Sequence, residues 1–553
     1  MKRLVWTIGG ASLIWLALLL PCQAGDPNVP PVEHGGEGPK PAVAAQASNA
    51  ATPRLGAMET THKIAPDLLK QLLGTQVDQQ LGAQQVPVHT YLVYLHEEAS
   101  WEGLPASTDA NVRRELVRRL QATASESQKD ALSLLDELQA GGHVRAYRSY
   151  WVFNGLAVEG DLTAALELAN RPEVASIRAN RIHRLADPRS GAGLSSTDPG
   201  WNITSTGVDQ VWQQLGVTGA GVVVANMDSG VDWTHPALIS HYRGYRGAGQ
   251  QGEHDYNWFD ATRTYPLAPG PNVPNISAWS DHGTHTMGTL VGQETDGANP
   301  IGVAPGAAWV AVKVFDDEGA ATDEWIHAGF QWCLAPTDLN GQNPDPSRAP
   351  DVVSNSWGDD DGVDDTFRRD LAAWRQAGIF SAWAAGNAGP NAGTVGSPAS
   401  YSTAMGVGAI DRYNAIASFS SRGPSPWGGI IKPDVVAPGV DIRSAVAGGG
   451  YEDGWNGTSM ATPHVAGLAA LMIEAAQHTL TITETEGLIR STARDIGPAG
   501  PENDYGHGAI DALQAVSTVF EGGAFAGQVV EANSGEPLPG VRISLERRDR
   551  SGH

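Results

Sequence analysis

Asp228, His282 and Ser459 are the residues of this chain whose types, flanks and order could do chemistry together. Serine is a weak nucleophile at its free pKa, so it attacks a carbonyl only when a base takes its proton, and histidine has the pKa for that near neutral pH. A carboxylate beside the histidine would hold its productive tautomer and stabilise the imidazolium that forms. Ser459 lies in Asn456-Gly457-Thr458-Ser459-Met460-Ala461-Thr462-Pro463-His464. This reads as a turn opening a helix, with Ser459 at or near the cap, Pro463 in the first turn and the small-residue run Val465 to Ala476 as a buried body. His282 lies in Asp281-His282-Gly283-Thr284-His285-Thr286-Met287-Gly288-Thr289, a second polar turn leading into a helix of small residues. Asp228 ends the run Gly221 to Met227, which is of the kind buried on both faces of a parallel sheet. An acid at the carboxyl end of such a strand sits where open α/β sheets place ligands.

The elements that must position these residues alternate along the chain. Val222 to Asn226, Trp309 to Val314, Val352 to Ser354, Phe380 to Ala384, Met405 to Val407 and Asp434 to Ala437 are strand candidates with helical patterns between them. That predicts an α/β fold, a mostly parallel sheet with helices on both faces. Upstream, Val88 to Leu95 alternates as a strand and Ala110 to Leu138 has helical periodicity. Val144 to Val158 reads as two strands joined around Asn154-Gly155, and Leu162 to Ala169 and Val174 to Ile177 complete a β-α-β-β-α-β series of the ferredoxin-like α+β kind. Residues 25 to 85 are assigned to a disordered linker on their Pro, Gly and Ala content. After about Phe520, Gly527 to Leu545 is two alternating strands about a turn, the start of a β-sandwich that needs about seven.

The order Asp, His, Ser separates this constellation from the α/β-hydrolase and chymotrypsin orders. The stretch Trp201 to Ala515 resembles the subtilisin family of serine peptidases: Val224 to Asp232, His282 to Gly288, Ser381 to Gly389 and Asn456 to Gly467 each match a separate family signature, in the right sequence. Phe419 to Pro424 and Lys432 to Gly439 match it as scaffold. The resemblance implies a triad of Asp228, His282 and Ser459, with Asn387 and the backbone N–H of Ser459 as oxyanion donors. It implies that substrate backbone pairs with Ser356-Trp357-Gly358 and that Ala384-Ala385-Gly386 forms the other wall of a slot for a large apolar side chain. It makes residues 86–190 a propeptide that chaperones and blocks the catalytic domain, 191–520, until cut away by self-cleavage between about Arg184 and Asp198. Residues 521–553 resemble the start of a carboxypeptidase-regulatory-like module, read as truncated. No cofactor is implied for the chemistry. Asp296 to Ile301 occupies the region where many relatives bind structural calcium, and no ligand set can be assigned there. The alternative is a catalytically silent member of the same fold serving in binding or adhesion. Such members usually lose the Ser, the His or the oxyanion Asn, and this chain keeps them.

Neighbouring residues invite other roles. His285 and His464 come without an H-E-x-x-H or cysteine cluster and are read as packed structural histidines, and Asp281 and Asp232 as turn and helix-start acids. Trp357 is bulky for a groove. Asp359-Asp360-Asp361, with Asp364 and Asp365, form either a solvated loop or a site favouring Lys or Arg upstream of the cut. Ser229, rather than a second acid, follows Asp228, which argues against dibasic specificity of the proprotein-convertase kind.

Lys2 and Arg3 precede an apolar stretch from Leu4 to Leu20, and Cys22-Gln23-Ala24 supplies small residues for cleavage, so residues 1–24 read as a secretory signal. No later stretch suits a membrane span, and Pro21 argues against lipidation of Cys22. The expected site is extracellular, or the cell surface through the C-terminal region. Once the signal leaves, Cys333 is alone, a buried small hydrophobe with no disulfide partner. The net charge is −25. Between 190 and 520, 36 Asp plus Glu stand against 14 Lys plus Arg, a balance of −22, so nucleic acid is a poor partner. Protein and peptide substrates and the chain's own propeptide are the expected ones.

Overall fold

In the computed structural model, which describes residues 61–80, 89–188, 200–273, 277–294 and 300–520, the first sheet comprises β1 (His89–Leu95), β2 (Val144–Tyr150), β3 (Gly155–Gly160) and β4 (Val174–Ala179). Its order is β2-β3-β1-β4, with β1 antiparallel to both β3 and β4. This is the ferredoxin-like arrangement that the pattern predicts, and the helix Leu162–Ala169 matches its expected bounds. The long helix expected over 110–138 is instead two, Ala110–Ser127 and Lys129–Ala140, broken at Gln128. The Gln128 side chain donates to the Tyr150 carbonyl and to Asn154 Oδ1, so the break pins the helices to the β2–β3 turn.

The linker assignment of 25–85 does not hold for residues 61–80. Pro66–Gln80 is a helix, and Ile64, Leu68 and Leu72 are buried against the same sheet. Their spacing is helical, and burying each leucine contributes about 1.5–3 kcal/mol. Composition masked an amphipathic segment. The signal segment, residues 25–60, the 190/191 boundary and the C-terminal β module lie outside the described residues.

The second sheet positions the site. Strand β5 (Ile182–Arg184) leads into it, followed by β6 (Val223–Asp228), β7 (Trp258–Asp260), β8 (Ala308–Lys313), β9 (Ala320–Thr322), β10 (Val352–Asn355), β11 (Phe380–Ala384), β12 (Met405–Ile410) and β13 (Val435–Pro438). Seven strands in the order β13-β12-β11-β10-β6-β8-β7 pair in parallel throughout. Six of these are the strands predicted from sequence, to within a few residues. The edge strand β7 escaped because three residues show no period. One core cluster joins the sheet's Val224, Ala382 and Val407 to Met287, Val465 and Leu468 of two helices. Small residues let the helix Thr458–Ala475 lie close: a Cβ on Gly467 would come within 2.5 Å of the Val303 side chain.

The ferredoxin-like unit packs on the helices Asp323–Leu334 and Arg368–Gln376. Phe153 stacks on His327 at 4.0 Å between ring centroids, and the buried Arg113 guanidinium donates to the carbonyls of Ala349, Pro350 and Ala377. A buried guanidinium is tolerated because its donors are satisfied and Asp351 lies at 3.5 Å.

Candidate active site

Asp228 is the last residue of β6, where the parallel sheet opens at its carboxyl edge. Its Oδ1 accepts from His282 Nδ1 at 2.8 Å and from the Ser229 N–H at 2.7 Å, and its Oδ2 accepts from Thr286 Oγ1 at 3.3 Å. Asp228 and His282 are 0% and 1% exposed, so the pair is dry and the carboxylate can fix one tautomer of the ring, Nδ1–H.

The local sequence explains this approach. His282 is inside the helix Ala278–Val291, capped by Ser277 and Ser280, rather than in a turn ahead of it. The helix presses onto the turn after Asp228: a Cβ on Gly283 would stand 2.1 Å from the Gly230 carbonyl oxygen. Asn226 Nδ2 donates to the Gly283 carbonyl at 2.8 Å, and Ser229 Oγ accepts from the Gly283 N–H at 3.0 Å, tying helix to strand on both sides of the pair.

Ser459 lies near the cap, as expected, whereas Pro463 falls beyond the expected first turn. The cap of the helix Thr458–Ala475 is Gly457, Ser459 is the second helical residue, and Pro463 falls in the second turn. Proline there cannot donate to the Ser459 carbonyl. That carbonyl accepts from Ser356 Oγ at 2.8 Å, while Ser459 Oγ donates to the Ser356 carbonyl at 2.9 Å. His282 Nε2, the atom that would take the serine proton, has no hydrogen-bond partner among the described residues. Asn387 Oδ1 accepts from both the N–H and the hydroxyl of Thr458, at 3.0 Å each, which turns its Nδ2 donor away from Thr458.

A cleft of about 430 Å³ brings together Ser459, Asn387, Ser356, Trp357, Gly358, Ala384 and Gly386. Ala385 is not on its wall; it is fully buried and its N–H bonds to Val407. Trp357 lines the cleft but is only 4% exposed, and its ring packs on Trp383 and Phe315. Of the loop acids, Asp359 and Asp360 reach the cleft, whereas Asp361 accepts from the Val363 N–H.

The cleft's remaining wall is the chain's own segment Ile182 to Ala186. Strand β5 pairs antiparallel with β9, Ile182 opposite Thr322 and Arg184 opposite Ala320. The Leu185 N–H continues the ladder to the Gly319 carbonyl at 2.9 Å, and the Pro188 carbonyl accepts from the Asn456 N–H at 3.0 Å. Sequence reasoning missed β9 as the pairing edge, for which three small residues give no signal. It also missed Asp323, directly after β9, and Lys313, whose buried ammonium donates to the Ser229 carbonyl and to Asp317.

The flanking residues hold structural posts. His464 accepts from Asn202 Nδ2 and donates to the Met460 carbonyl, and burial pushes its pKa down to about 4. His285 stacks on Trp455 at 4.1 Å. Asp232 accepts from Thr234 and from the Gly448 N–H. Cys333 is buried, which raises its thiol pKa and leaves it unreactive. Among the described residues no helix is long and apolar enough to cross a membrane, and no cluster of His, Cys, Asp and Glu suited to a metal occurs. Four of the six residues of the suggested calcium region, 296–299, lie outside the described residues.

Comparison with known proteins identifies the family. The subtilase family matches residues 219–508. Bacillopeptidase F of Bacillus subtilis (strain 168) is 41% identical over 455 residues, covering 78% of this chain and 31% of that protein, so the chain spans about a third of that relative's length. Subtilisin E of the same organism is 33% identical over 398 residues, 72% of this chain and 87% of that protein. A subtilisin of Bacillus pumilus is 36% identical over 302 residues, 54% and 92% of the two chains. With the family match spanning more than half of the sequence and Subtilisin E covered over most of its length, the chain belongs to the subtilase family of serine endopeptidases.

Proposed function

We propose that this protein is a secreted serine endopeptidase, made as a zymogen and matured by cutting its own chain. The observation that supports the reading is the buried Asp228–His282 hydrogen bond, together with a cleft that Ser459 and Asn387 share with the chain's own residues 182–186. In the reaction Ser459 Oγ leaves the Ser356 carbonyl and gives its proton to His282 Nε2 as it attacks the peptide carbonyl. Asp228 holds Nδ1–H and stabilises the imidazolium. The oxyanion is met by Asn387 Nδ2 and the Ser459 N–H, and the imidazolium returns its proton to the leaving amine. Water then attacks the acyl-enzyme by the same route. These residues need no metal or cofactor for any step.

Residues up to Ala186 are the inhibitory prosegment in this reading. Leu185 is anchored on Gly319 and Pro188 on Asn456, three residues before the nucleophile, so the Ala186–Asp187 bond is the central one between the anchors. It is the proposed first cut, within the 184–198 window expected from sequence. Later trimming would use the chain beyond 188.

Ser459→Ala tests the reading. The variant, expressed free of other peptidases, should keep its prosegment and lose peptide hydrolysis, while the wild type takes a fluorophosphonate label at Ser459. A wild-type N-terminus before Ile177 or after Thr218 contradicts the boundary. An unlabelled Ser459 in a folded, matured wild type favours the non-enzymatic binding role instead.

A further inference from the structure

The strand that fills the cleft carries its charge in a pattern. Ile182 and Arg184 are exposed while His183 and Leu185 between and beyond them are buried, as alternation along an extended chain requires. His183 enters a polar slot: Nε2 lies 2.7 Å from Asp323 Oδ1, and Nδ1 lies 3.5 Å from Asp359 Oδ2. Two residues earlier, the half-buried Arg181 guanidinium meets Asp364 Oδ2 at 2.7 Å, Asp323 Oδ2 at 3.4 Å and Thr366 Oγ1 at 2.7 Å. The main chain holds the register, because the Arg181 N–H donates to Asp323 Oδ2 and its carbonyl accepts from the Asp323 N–H, both at 3.0 Å.

Asp323 is 2% exposed at the first turn of the helix Asp323–Leu334. Burial alone would raise its pKa, but the His183 hydrogen bond and the charges of His183 and Arg181 hold it below the usual carboxylate range. When the segment leaves, Asp323 loses the His183 hydrogen bond, and Asp323 and Asp364 lose the Arg181 guanidinium. A buried carboxylate without a partner is costly, so the emptied slots favour any ligand that restores the positive charge.

With the cut at Ala186–Asp187, a register that rests on the peptidase reading above, His183 is the fourth residue before the bond and Arg181 the sixth. We propose that Asp323, with Asp359, selects a basic side chain four residues before the cleaved bond, and that Asp364, with Asp323, selects one six residues before it. The substrates favoured are extended basic peptides of the form Arg-x-(Arg/His/Lys)-x-Leu-Ala, of which the prosegment is the built-in example. Asp359 and Asp364 belong to the acidic loop that the sequence left between a solvated surface and a selecting one. Asp323 lies outside it and serves both positions.

The test uses the full chain, expressed and allowed to mature, on quenched peptides built from Arg181–Ala186 followed by a neutral leaving segment. The fourth position is varied between Arg, His and Gln and the sixth between Arg and Gln. Arg should exceed Gln in kcat/KM by about tenfold at each position, in line with hydrogen bonds to charged groups. Asp323→Asn should bring both ratios to within about twofold of one. Asp364→Asn should flatten the sixth-position ratio and keep the fourth, and it provides the second variant should Asp323→Asn fail to fold. Ratios near one in an enzyme that cleaves the Leu-Ala reference peptide overturn the proposal alone. No cleavage of any peptide, with Ser459 unlabelled, overturns the peptidase reading and the proposal with it.

Discussion

Ser356 and Ser459 hold each other through reciprocal hydrogen bonds, the hydroxyl of each donating to the main-chain carbonyl of the other. The pair depends on Pro463, which cannot donate to the Ser459 carbonyl and so leaves it open to the strand edge. The first turn of the nucleophile's helix is thereby fastened to the end of β10 and the wall of the cleft. In the proposed mechanism the serine exchanges this resting bond for His282 before reacting.

Ser356→Ala should remove the donor and leave the Ser459 carbonyl unpaired in a buried place, destabilising the protein by about 1–3 kcal/mol. Turnover should fall far less than in Ser459→Ala, because Ser356 still offers its carbonyl. Urea unfolding and active-site titration separate the two effects; unchanged stability would mean that the paired bonds contribute nothing net.

Asn387→Ala removes the amide turned away from Thr458. The expected loss in kcat is about 100- to 1,000-fold with KM little changed, a range known from such a donor in subtilisin itself. Steady-state kinetics on a peptide substrate give the answer, and a rise in KM at constant kcat would place Asn387 in ground-state binding instead.

Asp228→Asn keeps the shape of the pair but lets the amide present a donor to His282 Nδ1, which favours the tautomer that cannot accept the serine proton. A fall in kcat of about 10,000-fold is expected, the size seen when a triad carboxylate is so replaced. Phosphonylation of Ser459 should slow in parallel. Rapid labelling of the variant would show that Asp228 is dispensable for activating the serine.

His464 gives a pH dependence whose sign is set by burial. Its folded pKa is depressed from 6.5 to about 4 because full burial penalises the charged imidazolium. Between those values the unfolded chain binds a proton that the folded one refuses, so stability is full above about pH 6.5 and falls with acidification until about pH 4. The contribution is about 3 kcal/mol. Chemical unfolding at pH 7 and pH 4.5 should show a smaller loss in His464→Gln than in the wild type, and equal losses would remove His464 as the source.

The candidate site was legible in the sequence because each proposed participant carries its own local signature. Asp228 follows a β-branched run, His282 and Ser459 sit at junctions of polar and small residues, and Asn387 lies between glycines. Each pattern reflects a local physical demand, a buried strand or a helix that must pack closely, so reading one needs no knowledge of the others. The parallel sheet followed from the same alternation. Composition misled at 61–80, where Ile64, Leu68 and Leu72 supply a helical stripe within a segment otherwise poor in order-forming residues.

What only the tertiary structure decided concerns residues far apart that share no pattern. Nothing in Ala320 to Thr322 announces a strand, and β9 exists because β5 lies beside it. The same holds for Asp323 and His183: an acid opening a helix after three small residues is ordinary in sequence, and the proposed specificity role arises only because a distant histidine is laid 2.7 Å away. Local pattern records what a segment needs from its immediate neighbours and from water. Which side chains meet across a cleft is set by the packing of whole elements, and the sequence encodes that only through the fold.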